Sequence, residues 1–151
     1  MPDRDILDLE HFLPYRLSVL SNRISQDIAR LYADRFGLGI TEWRVLAVLG
    51  RHSEVSAREV AERTAMDKVA VSRAIASLQA AGRIERDTHG HDRRRSCLRL
   101  SPAGRAIYDE VAPLALAYQR RLLEGLAEDE RAALDRLLGR LETLELATRP
   151  G

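Results

Sequence analysis

The sequence predicts a mainly helical fold with one small β-hairpin, on three observations. Apolar residues recur at steps of three and four near both ends of the chain, which is the spacing of amphipathic helices. Between these stretches, two short segments carry the capping residues that start helices. After Gly82 the pattern changes to the alternation of two strands around a long basic tip.

The N-terminal part of the chain predicts one long amphipathic helix from Leu9 to Phe36. Its apolar stripe consists of Leu13, Leu17, Leu20, Ile24, Ile28 and Leu31. Gly37 suits the left-handed conformation that follows a helix end. A helix of this length spans about 40 Å, more than a small domain needs internally, so we expect part of the stripe to pack on a second copy of the chain.

Three shorter helices are predicted next. Thr41 can cap the first of them, and apolar residues cover most of that helix, which predicts a buried central element: Trp43, Val45, Leu46, Val48 and Leu49. Residues 56–59, Ser-Ala-Arg-Glu, form a capping box that starts a second short helix, ending near Thr64. Asp67 caps a third helix that runs to Ala81, where Gly82 ends it.

The rest of the chain predicts the hairpin and two more helices. Leu98 and Leu100 alternate opposite Ile84, so one face of the hairpin should pack on the helices. Ser101 and Pro102 begin a helix that carries an apolar stripe, and a last helix begins at an acidic turn, residues 128–130. The stripes of these two helices are Ile107, Val111, Leu114, Tyr118 and Leu122, then Leu134, Leu137, Leu138, Leu141 and Leu144.

Composition excludes several classes of protein. The chain has 151 residues, a net charge of +1 and a single cysteine, Cys97, so an internal disulfide framework is impossible. No apolar run is long enough to span a membrane, and acids stand where a signal peptide has basic residues. These features predict a cytoplasmic protein without membrane contact. We find no paired carboxylates, phosphate loop or activated nucleophile, so the sequence predicts no enzyme and no cofactor.

Charge is distributed unevenly along the chain. Residues 55–100 carry a net charge of +4, which leaves −3 for the remainder. A basic middle between acidic ends is typical of a segment that faces a polyanion, although chance surface charge explains it equally well.

Two short helices followed by a basic hairpin indicate a winged helix-turn-helix. On the second of these helices, the apolar face leaves four residues together on the opposite side: Lys68, Val69, Ser72 and Arg73. Lysine and arginine donate to guanine or phosphate, and valine packs on a thymine methyl group. The alternative is an ordinary solvated helix face.

The chain resembles the MarR family of bacterial transcription regulators. The resemblance is clearest where Asp92-Arg93-Arg94, Leu98-Arg99-Leu100-Ser101 and Gly104 match the family's pattern D-x-R-x-x-x-L-x-L-[ST]-x-x-G. It extends over the whole chain through I-T-E-W-R-V-L, V-S-R-A-I-A-S-L and A-G-R-I-E-R.

This resemblance implies a homodimer that binds double-stranded DNA at a pseudo-palindromic operator, usually as a repressor. It implies an N-terminal dimerisation helix in residues 1–36, a winged helix-turn-helix DNA-binding domain in residues 37–101 and C-terminal dimerisation helices in residues 102–151. The recognition helix would enter the major groove, and a wing-tip arginine, matching Arg94 here, would reach the minor groove. Arg93 and Arg95 flank it, and three adjacent arginines repel one another unless a polyanion is present.

Family effectors are commonly small aromatic, often anionic compounds held between the dimer helices and the winged domain. The candidate contacts are His11, Tyr15, Arg16 and Trp43, with Arg51 and His52 close by in sequence. An arginine beside two aromatic rings suits an aromatic carboxylate or its thioester, with Arg16 as the anion partner. The alternative is that Trp43 belongs to the core and Arg16 pairs with an acid.

A metal site, a redox-active cysteine and a different binding function have weaker support in the sequence. His89, His91 and Asp92 lie within four residues of a loop, which is a poor scaffold for a metal, so no metal site is predicted. Cys97 has no established redox role, because the family's peroxide sensors use an N-terminal cysteine that this chain lacks. A winged-helix protein-interaction module without DNA binding is the alternative function, against which the basic face and tip argue.

Overall fold

In a computed structural model, the described residues are 6–88 and 96–144. The chain divides into two compact units, residues 1–115 and 116–151. A short 3-10 turn, Leu9–His11, precedes α1 Leu13–Ala29, α2 Ala33–Phe36, α3 Ile40–Arg51, α4 Ala57–Thr64, α5 Lys68–Ala80, β1 Ile84–Thr88, β2 Ser96–Leu100, α6 Pro102–Leu123 and α7 Glu128–Glu142. The mainly helical fold with one hairpin is therefore confirmed.

The prediction of a single helix from Leu9 to Phe36 is wrong. The helix ends at Ala29, and the backbone N–H groups of the next three residues bond to carbonyls three residues back, as in a tightened final turn. Tyr32 departs from helical geometry there and is almost completely buried. Burying that large ring in the core decides the break, and one more turn, α2, follows before Gly37 adopts its left-handed conformation.

Helix α3 begins two residues earlier than predicted, and Thr41 is not its cap. Gly39 takes the N-cap position, and the Glu42 carboxylate accepts the Gly39 N–H at 3.0 Å. The central position of α3 is confirmed, because Val45, Leu46 and Leu49 are buried in the core.

Both predicted caps of the following helices are confirmed. The Ser56 hydroxyl accepts the Glu59 backbone N–H at 3.1 Å at the start of α4. The Asp67 carboxylate accepts the Ala70 N–H at 3.1 Å at the start of α5. Gly82 has a φ of 72° just beyond the end of α5, where a side chain would be strained.

The hairpin pairs antiparallel, with Ile84 opposite Leu100 and Arg86 opposite Leu98. Ile84 and Leu98 are buried against the helices, as the alternation predicted. A single β-bridge between Val55 and Leu98 pairs a third segment with the hairpin, which the sequence did not indicate. The base of the hairpin is thus attached to the segment before α4.

The start of α6 is fastened to the base of the hairpin. Ser101 is buried; its hydroxyl donates to the Gly82 carbonyl at 2.6 Å and accepts the Gly104 N–H at 3.1 Å. Gly104 faces the Arg83 carbonyl so closely that any Cβ would overlap it. This site requires glycine for close packing, not for an unusual φ.

The core of the first unit comprises sixteen buried apolar side chains contributed mainly by α3, α4, α5 and the hairpin. By contrast, α1 and α7 contain no buried residue. Both helices have exposed large apolar side chains: Leu13, Leu17 and Leu20 on α1, and Leu134, Leu137, Leu138 and Leu141 on α7.

Candidate nucleic-acid interface

Helix α5 separates an apolar face from a basic one. Its apolar face is fully used by the core: Val71, Ala74, Ile75 and Leu78 are buried. The four residues singled out in the sequence line a single concave surface on the other face, together with one more: Lys68, Val69, Ser72, Arg73 and Ala76. We call this set the basic face of α5.

Two further features describe the basic face. Val69 is 56% exposed, which is unusual for a large apolar side chain and leaves it available for contact. Ala76 was missed by sequence reasoning, although its spacing of seven residues from Val69 would have placed it on the same face.

Side-chain hydrogen bonds lie near both ends of α5, and one of them joins it to α3. Asp67 caps its first turn, and the Ser77 hydroxyl donates to the Glu42 carboxylate at 3.0 Å. The other oxygen of Glu42 accepts the Gly39 N–H, so one side chain joins the start of α3 to the second half of α5. The basic face is therefore held on a rigid support.

At the base of the hairpin, Arg99 bridges two acids. Its Nε donates to Glu85 at 3.1 Å and its Nη1 donates to Asp87 at 3.2 Å. These hydrogen bonds, first to Glu85 and then to Asp87, raise the pKa of Arg99 above its ordinary value. Cys97 lies on the same strand face, directly opposite Asp87, and is partly exposed.

The predicted tip contacts Arg93, Arg94 and Arg95 lie outside the described residues, and so do His89, His91 and Asp92. In the part of the chain that the structure does describe, no group of three His, Cys, Asp or Glu side chains could hold a metal ion.

Trp43 lies at the centre of an aromatic stack. Its ring stacks on Tyr32, with centroids 5.4 Å apart, and on Tyr108, with centroids 6.3 Å apart. Burial raises the pKa of Tyr32, and the nearby Arg44 guanidinium offsets part of that rise. Arg105 lies over the outer ring, Tyr108, at 5.5 Å. The stack joins the end of the N-terminal segment, α3 and the first part of α6.

The other predicted effector contacts lie on more exposed surface. His11, Tyr15 and Arg16 are exposed, and His11 pairs with Asp8 at 2.7 Å. Among the described residues, the rings that stack on Trp43 are Tyr32 and Tyr108, and Tyr15 is not one of them.

Arg51 and His52 line a separate open hollow at the end of α3, together with Ala47, Val48 and Arg63.

Arg44 is a cation next to Trp43 in sequence that the sequence analysis did not include among the candidate contacts. It is half-buried and donates to the Ser25 hydroxyl at 2.8 Å and toward the Met66 sulfur at 3.8 Å.

Comparison with known proteins identifies this arrangement. A model of the MarR family matches residues 36–95, the stretch that begins at the last residue of α2 and ends just before β2. The crystal structure of a MarR/EmrR family transcriptional regulator from Acinetobacter sp. ADP1 has a TM-score of 0.82 at 29% identity, covering 90% of this chain and 96% of that chain. The chain belongs to the MarR family. It is therefore a DNA-binding transcriptional regulator with a winged helix-turn-helix.

Two other MarR-like structures are similar over most of their length. FabT from Streptococcus pneumoniae, solved in complex with DNA, has a TM-score of 0.71 at 25% identity and covers 89% of this chain and 95% of its own. BpsR from Bordetella bronchiseptica, whose DNA binding is regulated by 6-hydroxynicotinic acid, has a TM-score of 0.77 at 25% identity and covers 89% and 96%.

Among curated proteins, no match to this MarR-family chain was found. None of its helices within residues 6–88 and 96–144 is long and apolar enough to cross a bilayer.

Proposed function

We propose that the protein binds a pseudo-palindromic operator as a homodimer, with the basic face of α5 in the major groove of each half-site. The observation that carries this proposal is the exposed set of Lys68, Val69, Ser72 and Arg73 on a helix whose opposite face is fully buried. Such a helix is rigid, fits the groove and presents donors outward. The DNA complex of the related FabT supports the same use here.

In this proposal each side chain has a distinct task. Arg73 and Lys68 donate to guanine or to phosphate, Ser72 bonds to a base edge or the backbone, and Val69 packs on a thymine methyl group. Arg94, between Arg93 and Arg95 at the tip of the hairpin, is assigned to the minor groove. Residues 37–101 then form the DNA-binding domain, while residues 1–36 and 102–151 form the dimer.

The test is a gel-shift titration with the intergenic DNA upstream of the protein's own gene. Arg73→Ala and Lys68→Ala should each weaken binding, by about 1–3 kcal/mol where the side chain reads a base. Arg30→Ala is the matched control, since Arg30 is a solvent-exposed arginine in the turn after α1. Wild-type affinity should fall steeply with salt. If wild type gives no shift on any such fragment, the protein-interaction alternative replaces this one.

The homodimer is proposed from the apolar surface that α1, α6 and α7 leave uncovered. Leu137 on α7 and Leu116 on α6 are each about half exposed, among many others. A second copy of the chain would cover these stripes and set two recognition helices about one turn of DNA apart. Sedimentation at micromolar concentration should give a dimer; a monomer would contradict the proposal. Truncation after Leu126 should abolish dimerisation and operator binding together.

We further propose that the regulator is a repressor that a small aromatic carboxylate, or its thioester, releases from DNA. The regulation of BpsR by 6-hydroxynicotinic acid supports this class of ligand. Trp43 would supply an aromatic wall, with His11 and Tyr15 nearby in the assembled dimer and Arg16 as the anion partner. A ligand releases DNA only if it binds the free conformation more tightly.

Calorimetry against benzoates, cinnamates and their thioesters tests the effector proposal. Wild type should bind at least one compound, and Arg16→Ala should lose that binding while operator affinity stays unchanged. An unaltered response in Arg16→Ala would eliminate Arg16 as the anion partner and leave the DNA-binding proposal standing. Arg23→Ala, an exposed arginine further along α1, serves as the control.

A further inference from the structure

The strand that leads to the hairpin tip carries two acids on one face. Glu85 and Asp87 are two residues apart on β1, so both side chains point to the side of the hairpin away from Ile84. Both are partly exposed. In the proposed function the hairpin approaches DNA, where two unpaired carboxylates would repel the phosphates.

Arg99 supplies the compensating charge. It faces Glu85 directly across the strand pair and reaches diagonally to Asp87, with Nε on one carboxylate and Nη1 on the other. Its side chain is 43% exposed, and two of its N–H groups are already directed at the acids. A guanidinium held in this way is oriented along the strand and not outward.

We propose that Arg99 is a positioning residue that shields the operator from Glu85 and Asp87 instead of contacting DNA itself. The inference rests on the proposed function, in which the hairpin approaches the DNA. With Arg99 present the three side chains carry a net charge of −1; without it they carry −2. A dimer has two hairpins, so the loss of Arg99 acts twice on each operator complex.

The experiment compares operator binding of wild type, Arg99→Gln and the charge-matched double variant Glu85→Gln/Arg99→Gln, each at two salt concentrations. Arg99→Gln should weaken binding roughly threefold to tenfold at low salt, and the difference should shrink at high salt because the repulsion is screened. The double variant returns the net charge to −1 and should bind within twofold of wild type. Glu85→Gln alone should bind as tightly as wild type or more tightly.

The thermal midpoint of each variant separates this effect from damage to the fold. Exposed ion pairs contribute little to stability, so the midpoints should stay close together. Restored affinity in the double variant is an outcome that a purely structural role would not produce, because that variant also lacks the bridge.

Three results would overturn the inference. Unchanged affinity in Arg99→Gln would show that the acids need no shield. Affinity of the double variant as weak as that of Arg99→Gln would show that Arg99 itself contacts phosphate. Wild type that binds no operator at all would overturn both this inference and the proposed function, whereas the first two results leave the proposed function intact.

Discussion

Helices α5 and α7 have similar lengths and similar apolar stripes, yet they use them in opposite ways. Every large aliphatic side chain on the apolar face of α5 is buried by α3, α4 and the hairpin. On α7 no residue is buried, and four leucines are exposed. The same sequence pattern therefore corresponds to a buried core face on α5 and to an exposed apolar surface on α7.

The difference lies in the neighbours that the chain itself provides. Around α5, two helices and a hairpin from residues 40–100 of the same chain converge, so the burial is complete inside one copy. Exposed stripes of this size are typical of surfaces that a partner covers. If this is correct, the stability of the α5 region should be independent of protein concentration, while that of α7 should depend on it.

The largest expected effect comes from truncating one leucine in each helix. Leu78 is 0% exposed, and Leu78→Ala should lower the free energy of unfolding by about 2–5 kcal/mol at every protein concentration. Leu137 is 50% exposed, and Leu137→Ala should weaken the proposed dimer, so its loss of stability should be largest at high protein concentration and should shrink as dilution dissociates the dimer. Urea denaturation at two concentrations measures both. Equal, concentration-independent losses would refute the contrast.

Glycines give a second comparison. Gly104→Ala places a methyl group on the Arg83 carbonyl oxygen and should destabilise the protein by about 1–3 kcal/mol. Gly139 lies inside α7 with nothing within 4 Å of a Cβ, so Gly139→Ala should stabilise that helix by about 0.5–1 kcal/mol. Thermal unfolding monitored by circular dichroism distinguishes the two directions. A loss in Gly139→Ala would indicate that a second copy approaches the backbone there.

The smallest effects are expected at the helix starts. Asp67→Ala removes the side-chain cap of α5 and should cost about 1 kcal/mol. Helix α7 begins after Ala127, whose side chain offers no cap, so Ala127→Ser should add about 0.5–1 kcal/mol. Chemical denaturation at fixed protein concentration resolves both changes. If Asp67→Ala stabilised the protein or Ala127→Ser destabilised it, contacts other than the caps would be stabilising the starts of α5 and α7.

Local signals explain what the sequence could predict. The Ser56 and Asp67 caps and the end of α5 at Gly82 each depend on residues within a few positions of one another. The hairpin followed from the alternation of apolar residues along its two strands. The exposed face of α5 followed from helical spacing alone once its apolar face was assigned. These features need no knowledge of the rest of the chain.

The errors have long-range or competing causes. The break after Ala29 depends on Tyr32 reaching Trp43 and the core, which no local pattern of α1 encodes. Thr41 looked like a cap because its type suits one, but Glu42 caps the helix from inside its first turn. The bridge of Arg99 to Glu85 and Asp87 could be predicted only from the strand register, because both partners are more than ten residues away in sequence.

The aromatic stack also contains the chain's single tryptophan, which is an intrinsic fluorophore. That residue, Trp43, lies between Tyr32 and Tyr108, on segments that precede and follow α4 and α5. Its intrinsic fluorescence, excited at wavelengths that tyrosine does not absorb, therefore originates at one known place in the fold. A change in the environment of Trp43 on DNA or ligand binding should alter that emission, so binding can be tested in solution without an attached dye.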